Sequence, residues 1–242
     1  MTIIPAIVNY QNFIQMDKFT RSDLPNQTAF PIANAGYALI IGAAFATTVL
    51  ALLGLTTLTL VGLVVIFCIC GFFRDPDRII PDEKGIIVSP ADGKVILTDL
   101  TDDTPFFSGQ ALKISIFMSV FNVHVNRIPY DGRIKKIDYS PGKFFSANLD
   151  KASLENEHNA VFIEMDNGKP LCVVQVAGLI ARRIICRIQP GDHVIRGQRF
   201  GLICFGSRLD VYLPPDIKLR VAPGDKVKAG TSILGHCESP RP

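Results

Sequence analysis

Apolar positions along this 242-residue chain fall into two regimes, and the change comes at Arg74. Between residues 32 and 73 nothing is charged, and Leu, Ile, Val, Ala and Phe run with few interruptions. About 20 apolar residues, each rising about 1.5 Å in a helix, cross a bilayer. The stretch is about twice that length. It reads either as two short spans with a turn near Gly54 or as one span plus an interfacial segment. Beyond the polar junction Arg74-Asp75-Pro76-Asp77-Arg78, the pattern becomes short apolar runs separated by Gly, Pro and Asp. Residues 85–88, 94–97, 111–119, 161–165 and 171–176 are such runs, rich in β-branched types, and read as strands. No later segment sustains helical spacing, so residues 74–242 are expected to form a β-rich catalytic domain. Residues 1–31, with Pro5, Pro25 and Pro31, hold no period and form an N-terminal segment of their own.

An internal echo refines the β reading. Pro190-Gly191-Asp192-His193-Val194-Ile195-Arg196-Gly197 returns as Pro223-Gly224-Asp225-Lys226-Val227-Lys228-Ala229-Gly230. Phe200-Gly201 follows the first copy and Ile233-Leu234 the second. Each copy reads as a tight turn, a short strand starting at Val and a second glycine turn. Such units resemble those of lipoyl-type and duplicated-hybrid barrels. The fold expected is therefore mainly β, a compact barrel or sandwich of hairpins, with an N-terminal apolar helical membrane segment over 32–73. Two copies are too few for a solenoid.

Charge and cysteines narrow the setting. With 25 Lys+Arg against 22 Asp+Glu there is no polybasic surface, and no nucleic-acid partner is expected. Lys18 and Arg21 precede the apolar stretch, and Arg74 and Arg78 follow it. A two-span hairpin would leave both basic flanks cytoplasmic. The run starts too late and is too long for a cleavable signal, whose core is about 7–15 residues. Cys68 and Cys70 lie in the apolar segment, and Cys172, Cys186 and Cys204 among Val, Ile and Leu. They read as small core residues of a reduced compartment. The expected location is the cytoplasmic face of the cell membrane.

Three segments carry candidate chemistry. Ser89-Pro90-Ala91-Asp92-Gly93-Lys94-Val95 holds an Asp-Gly that is, by itself, an ordinary turn. In Phe121-Asn122-Val123-His124-Val125-Asn126-Arg127, strand alternation would turn Asn122, His124 and Asn126 to one polar face. In Cys204-Phe205-Gly206-Ser207-Arg208-Leu209-Asp210, the Gly-Ser pair could be another turn. It also suits self-cleavage, because glycine lets the serine hydroxyl approach the preceding carbonyl. Attack would turn the amide into an ester, and removal of the serine α-proton would split the chain. Dehydroalanine would remain and hydrolyse to a pyruvoyl cap with loss of ammonia. That chemistry needs a base and a carboxylate to orient it, roles that His124 and Asp92 supply beside Ser207.

On these segments, with Phe144-Phe145-Ser146-Ala147-Asn148 and Glu155-Asn156-Glu157, the chain resembles the short-form bacterial phosphatidylserine decarboxylases. The similarity runs from about Arg74 to Gly235, and the order and spacing of the motifs carry it. The resemblance implies a catalytic set of Asp92, His124 and Ser207, with cleavage between Gly206 and Ser207. It implies a large chain of residues 1–206 and a small pyruvoyl chain of 207–242, paired as a heterodimer, with room for a homo-oligomer. The cofactor implied is pyruvate, as a covalent pyruvoyl group made from Ser207. A Schiff base between that group and phosphatidylserine would release carbon dioxide and yield phosphatidylethanolamine, a step of phospholipid biosynthesis. His124 is the candidate proton donor, because an imidazole of ordinary pKa about 6.5 transfers protons near neutrality.

Two departures stand out. Long-form members carry Leu-Gly-Ser-Thr where this chain has Phe205-Gly206-Ser207-Arg208, and a second histidine corresponds to Phe121 here. Phe144 and Phe145 could form a lip at the bilayer, and Arg74, Arg78 and Lys143 could meet the lipid phosphate. A pyruvoyl decarboxylase of a soluble amino acid would not need the apolar segment. A lipoyl-type carrier would need a modified lysine, but Lys226 and Lys228 lack the usual flanks. His124, His158, His193 and His236 form no His-x-His pair, so no metal and no zinc peptidase is expected.

Overall fold

The apolar stretch folds into two antiparallel helices, α1 (Tyr37–Leu52) and α2 (Thr56–Phe72). The computed structural model describes residues 32–142, 155–178, 183–204 and 206–237. The expectations for residues 1–31, Lys143, Phe144, Phe145 and Phe205 fall outside the described residues. Gly54 makes the turn between the helices at φ +74°, a conformation that costs other residues strain. Gly62 lets the helices approach, since a Cβ there would lie 2.4 Å from the Thr47 hydroxyl oxygen. Thr47 and Thr48 donate to the carbonyls of Ala43 and Ala44 one turn back (2.8 and 2.9 Å), so these hydroxyls are satisfied within the helix. Ile32 pairs with Arg74, and the Ala33 N–H donates to the Phe73 carbonyl (2.8 Å). Both ends of the hairpin therefore emerge together, and the stretch folds as two helices with a turn at Gly54. The 19 residues Asn34–Leu52 are long and apolar enough to cross a membrane by length and composition, and α2 is shorter. Leu39, Ile41, Phe45, Leu52, Leu63 and Phe67 on these helices are exposed.

The rest of the described chain is mainly β. Its strands are β1 (Ile86–Val88), β2 (Gly93–Thr104), β3 (Phe107–Met118), β4 (Val125–Arg127), β5 (Gly132–Ser140), β6 (His158–Met165) and β7 (Pro170–Ala177). There follow β8 (Ile184–Cys186), β9 (His193–Val194), β10 (Arg199–Ile203), β11 (Ser207–Leu213), β12 (Lys218–Leu219), β13 (Lys226–Val227) and β14 (Ile233–His236). A curled antiparallel sheet runs β13-β2-β3-β11-β7-β6-β5-β9, beside small sheets β1-β14-β12 and β4-β10-β8.

These orders are symmetric. Read inward from its two ends, the large sheet gives β13, β2, β3, β11 and then β9, β5, β6, β7. The small sheets match as β1 with β4, β14 with β10 and β12 with β8. One half of the domain is thus β1–β3 with β11–β14, and the other, β4–β10, is inserted between β3 and β11. Hydrogen bonds repeat with the strands. The Val88 N–H donates to the Pro129 carbonyl (3.0 Å) and the Arg127 N–H to the Pro90 carbonyl (2.9 Å). The Gly191 N–H meets the Ile134 carbonyl as the Gly224 N–H meets the Val95 carbonyl, both at 2.8 Å. A second echo accompanies the first: Pro90-Ala91-Asp92-Gly93 corresponds to Pro129-Tyr130-Asp131-Gly132. The duplication expected for one hairpin unit extends through the domain.

The seam of this insertion matters most. Strand β11 lies between β3 and β7, and all seven of its residues are buried. Leu209, Val211 and Leu213 enter the main core with Ile114, Ile116, Val161, Ile163 and Val173. Tyr212 packs on the other face with Val174, Val176 and Phe106.

Candidate active site

At the seam, three parts of the chain meet at the end of β3. Lys94 pairs with Phe117, and Ser207 pairs with both Met118 and Ala177. The Asp92 turn can approach β3 because residue 93 is glycine; a Cβ there would lie 2.3 Å from the Phe117 carbonyl oxygen. Ser207 is completely buried, and its Oγ meets the Met118 Sδ at 3.5 Å. A thioether is a weak acceptor, so this contact leaves the hydroxyl available for chemistry.

The peptide ahead of Ser207 is unusual. Gly206 has φ +59°, and its carbonyl accepts from the Gly178 N–H (3.1 Å). The symmetry explains the backbone. Ile116 lies between Val95 and Leu209 as Ile163 lies between Ile134 and Leu171. Three residues before Leu171 is Gly168, at φ +79°, in the turn joining β6 and β7. Gly206 holds the same place in the other half, where the inserted half takes the place of that short turn. The fold therefore imposes a left-handed residue before Ser207, and the Gly178 amide polarises its carbonyl.

A buried amide chain leads to the same point. Asn159 Nδ2 donates to Gln175 Oε1 (3.0 Å), and Gln175 Nε2 donates to Asn126 Oδ1 (2.8 Å). Asn126 Nδ2 then reaches the Met118 sulfur (3.7 Å), the atom that also meets Ser207. Gly201 makes room, because a Cβ there would lie 2.9 Å from Gln175 Nε2. Sequence reasoning missed Gln175, Asn159 and Met118. The signal available was Gln175, the one polar side chain in the run Leu171-Cys172-Val173-Val174-Gln175-Val176.

His124 is placed differently from expectation. A tight turn takes up residues 119–122, and the ladder begins only at Val125, so alternation does not extend back to residue 121. His124 is 0 % exposed, with its ring 4.1 Å from that of Phe72 at the end of α2. Neither ring nitrogen has a partner in hydrogen-bond geometry among the described residues. Burial pulls its pKa down to about 4, with a weaker upward pull from the Asn122 backbone and a further downward push from Arg74. An uncharged imidazole buried without partners is costly, and such groups concentrate where chemistry is done.

Asp92 is committed elsewhere in this arrangement. Its Oδ1 accepts from the Ala229 N–H (2.7 Å), and its Oδ2 pairs with Arg78 (2.9 Å). Asp131, its symmetry mate, accepts from the Arg196 N–H in the same way (2.7 Å). Among the described residues no hydrogen bond joins Asp92, His124 and Ser207 to one another: Ser207 meets Met118, Asp92 meets Arg78 and Ala229, and His124 packs on Phe72. Arg74 donates to the carbonyls of Gly71 and Phe121 (both 2.6 Å). Arg74 and Arg78, the candidates for lipid phosphate, thus spend their guanidinium groups on the protein. Asp75 and Asp77 complete the junction by holding Arg199 (2.8 and 2.7 Å).

Comparison with known proteins shows the family. The family model described as phosphatidylserine decarboxylase matches residues 66–235, which include Asp92, His124 and Ser207. A phosphatidylserine decarboxylase proenzyme of Nitrosomonas eutropha is 49% identical over 205 residues, covering 85% of this chain and 94% of the relative. The protein of that name from Desulfotalea psychrophila is 49% identical over 210 residues, covering 87% and 98% respectively. That from Syntrophus aciditrophicus is 55% identical over 166 residues, covering 69% and 78%. A matched region spanning nearly all of the β domain, with these relatives covered nearly end to end, settles the assignment: the chain belongs to the phosphatidylserine decarboxylase family.

Proposed function

We propose that the chain is a proenzyme that cuts itself at Gly206–Ser207 and then decarboxylates phosphatidylserine to phosphatidylethanolamine. The observation that carries the cleavage is the peptide before the buried Ser207, a left-handed glycine whose carbonyl is already held by the Gly178 amide. Ser207 Oγ attacks the Gly206 carbonyl carbon, the oxygen drawing charge that the Gly178 N–H stabilises. The C–N bond breaks as the C–O bond forms, giving an ester. Removal of the Ser207 α-proton expels the Gly206 carboxylate and leaves dehydroalanine; water then replaces its nitrogen, which departs as ammonia. His124 is the base. Its pKa of about 4 keeps it neutral at physiological pH, with a lone pair to accept the Ser207 proton, although the burial that lowers the pKa also weakens it as a base. The same value makes it a poor proton donor in the uncut chain.

Residues at this end of the sheet fit a pyruvoyl group well: position 207 is buried, its side chain meets the Met118 thioether, and it stands on a strand fixed on both sides. The group supplies a ketone for the substrate amine and an electron sink for the departing carbon dioxide. Met118, Asn126 and Gln175 would hold position 207, exclude water and restrict the orientation of what binds there. The small product of residues 207–242 contributes β11 from the middle of the sheet, so the two fragments stay joined as a heterodimer. The matched halves favour a duplicated-hybrid kind of barrel. The α1–α2 hairpin would anchor the enzyme in the membrane, with the β domain on the cytoplasmic side beside Arg74 and Arg78.

Intact-mass measurement of the purified protein tests the cleavage. Two fragments are expected, one ending at Gly206 and one starting with a blocked residue 207. A single full-length chain with unmodified Ser207 in a fully active preparation would refute it. Loss of both cleavage and phosphatidylethanolamine production in Ser207→Ala is the matching expectation for turnover.

A further inference from the structure

The turn that precedes His124 has a tip unlike any ordinary water-facing loop. The Asn122 N–H donates to the Ser119 carbonyl (2.9 Å), and both the N–H and the hydroxyl of Ser119 donate to Asn122 Oδ1 (each 2.8 Å). The two polar residues thus satisfy one another at the base. What the turn presents outward is Val120, 41 % exposed, and Phe121, 84 % exposed. The Phe121 carbonyl, which would otherwise face outward bare, accepts from Arg74 Nη2 (2.6 Å). Arg74 also caps the Gly71 carbonyl at the end of α2. Val123 and Val125, just past the turn, pack with Phe72 and Phe73 of the hairpin's end. The tip is therefore fastened to the base of the apolar hairpin and continues its exposed apolar surface.

We propose that residues 119–122 form a second membrane anchor, seating Val120 and Phe121 at the boundary between lipid headgroups and acyl chains. Unpaired polar groups resist entry into lipid, and the Ser119–Asn122 and Arg74 contacts pair the Ser119 N–H and carbonyl, the Asn122 N–H and the Phe121 carbonyl. Aromatic side chains favour this depth. The consequence is positional: His124, three residues after Phe121, is held at the lipid surface, where a phospholipid headgroup can reach the site without leaving its leaflet. This inference rests on the membrane reading of the hairpin.

The chain has no tryptophan, so a single introduced indole reports its own surroundings. Phe121→Trp would be reconstituted in phosphatidylglycerol–phosphatidylcholine vesicles, alongside Phe45→Trp, whose site on α1 is itself exposed. Both tryptophans are expected to emit to the blue of the water-exposed wavelength and to be quenched by lipids brominated high on the acyl chain. A red-emitting indole at position 121, quenched by aqueous iodide and not by bromolipid, would overturn the anchor if the one at position 45 is quenched by bromolipid. Aqueous behaviour at both positions would remove the membrane reading of the hairpin, and this anchor with it.

Discussion

Asp92 and Asp131 offer an internal control for separating structural from chemical work. Each carboxylate accepts one backbone N–H at 2.7 Å, from Ala229 and Arg196 respectively, at matching places in the two halves. A hydrogen bond to a charged group contributes about 1.5–3 kcal/mol, so Asp131→Ala should cost about that much. Asp92 also pairs with Arg78 at 2.9 Å, with only 10% of the Asp92 side chain and 14% of the Arg78 side chain exposed. Stranding Arg78 brings the cost of Asp92→Ala to about 3–5 kcal/mol. Asn keeps an oxygen acceptor at either position, and should cost about 1 kcal/mol at position 131 and somewhat more at 92. Stability is measured by denaturant unfolding in the uncut Ser207→Ala background, and self-cleavage by intact mass with Ser207 restored. If Asp92 orients the base, Asp92→Asn slows cleavage by about 10²–10⁴-fold while Asp131→Asn cleaves normally. Equal slowing by the two Asn variants would show that the Asp92 carboxylate only closes a turn. Wild-type cleavage in Asp92→Asn would remove it from the mechanism.

Further expectations follow from other contacts. Gly178→Pro, which lacks the N–H that holds the Gly206 carbonyl, should cleave about 10²-fold more slowly, whereas Gly178→Ala keeps the donor and should cleave normally. Equal rates from folded forms of both would exclude polarisation by that amide. Gln175→Leu strands Asn126 and Asn159 in the interior and should lower stability by about 3 kcal/mol; a denaturation midpoint unchanged from the parent would contradict the amide chain. His124 has a folded pKa of about 4, below the unfolded value of about 6.5. Above about pH 6.5 neither state holds the extra proton, and the residue adds no pH dependence. Between about pH 6.5 and 4 the unfolded chain is protonated and the folded one is not, so stability should fall by about 3 kcal/mol and then level off. His124→Gln should remove that slope from acid-unfolding curves, and an unchanged slope would place the titration on another group.

Much of the protein could be read along the chain. The uncharged stretch of residues 32–73 determines an apolar helical segment, because a long apolar run offers its backbone few other partners and a helix satisfies those groups within the segment. Gly54 marked its turn, and short β-branched runs between glycine turns determined a mainly β domain. The Gly-Ser pair marked the bond proposed to be cut, because that order combines a hydroxyl nucleophile with an unhindered carbonyl.

What the tertiary structure decided is how distant segments share one point. Gly206 is left-handed because it occupies the place of Gly168 in a duplicated half, a relation visible only when β11 and β7 lie side by side. Alternation put His124 on a polar face. The turn at 119–122 and the packing of Phe72 bury it instead, and burial rather than sequence neighbours sets its pKa. The Asp92 turn looked ordinary, and half of its role is ordinary, since Asp131 does the same work. Its partner Arg78 comes from the junction after the hairpin, and Gln175 reaches Asn126 from another sheet. Local sequence encodes periods, turns and chemical types, because those act over a few residues. Which buried group lies against which depends on strand order and register, and these form only when the two halves close on each other.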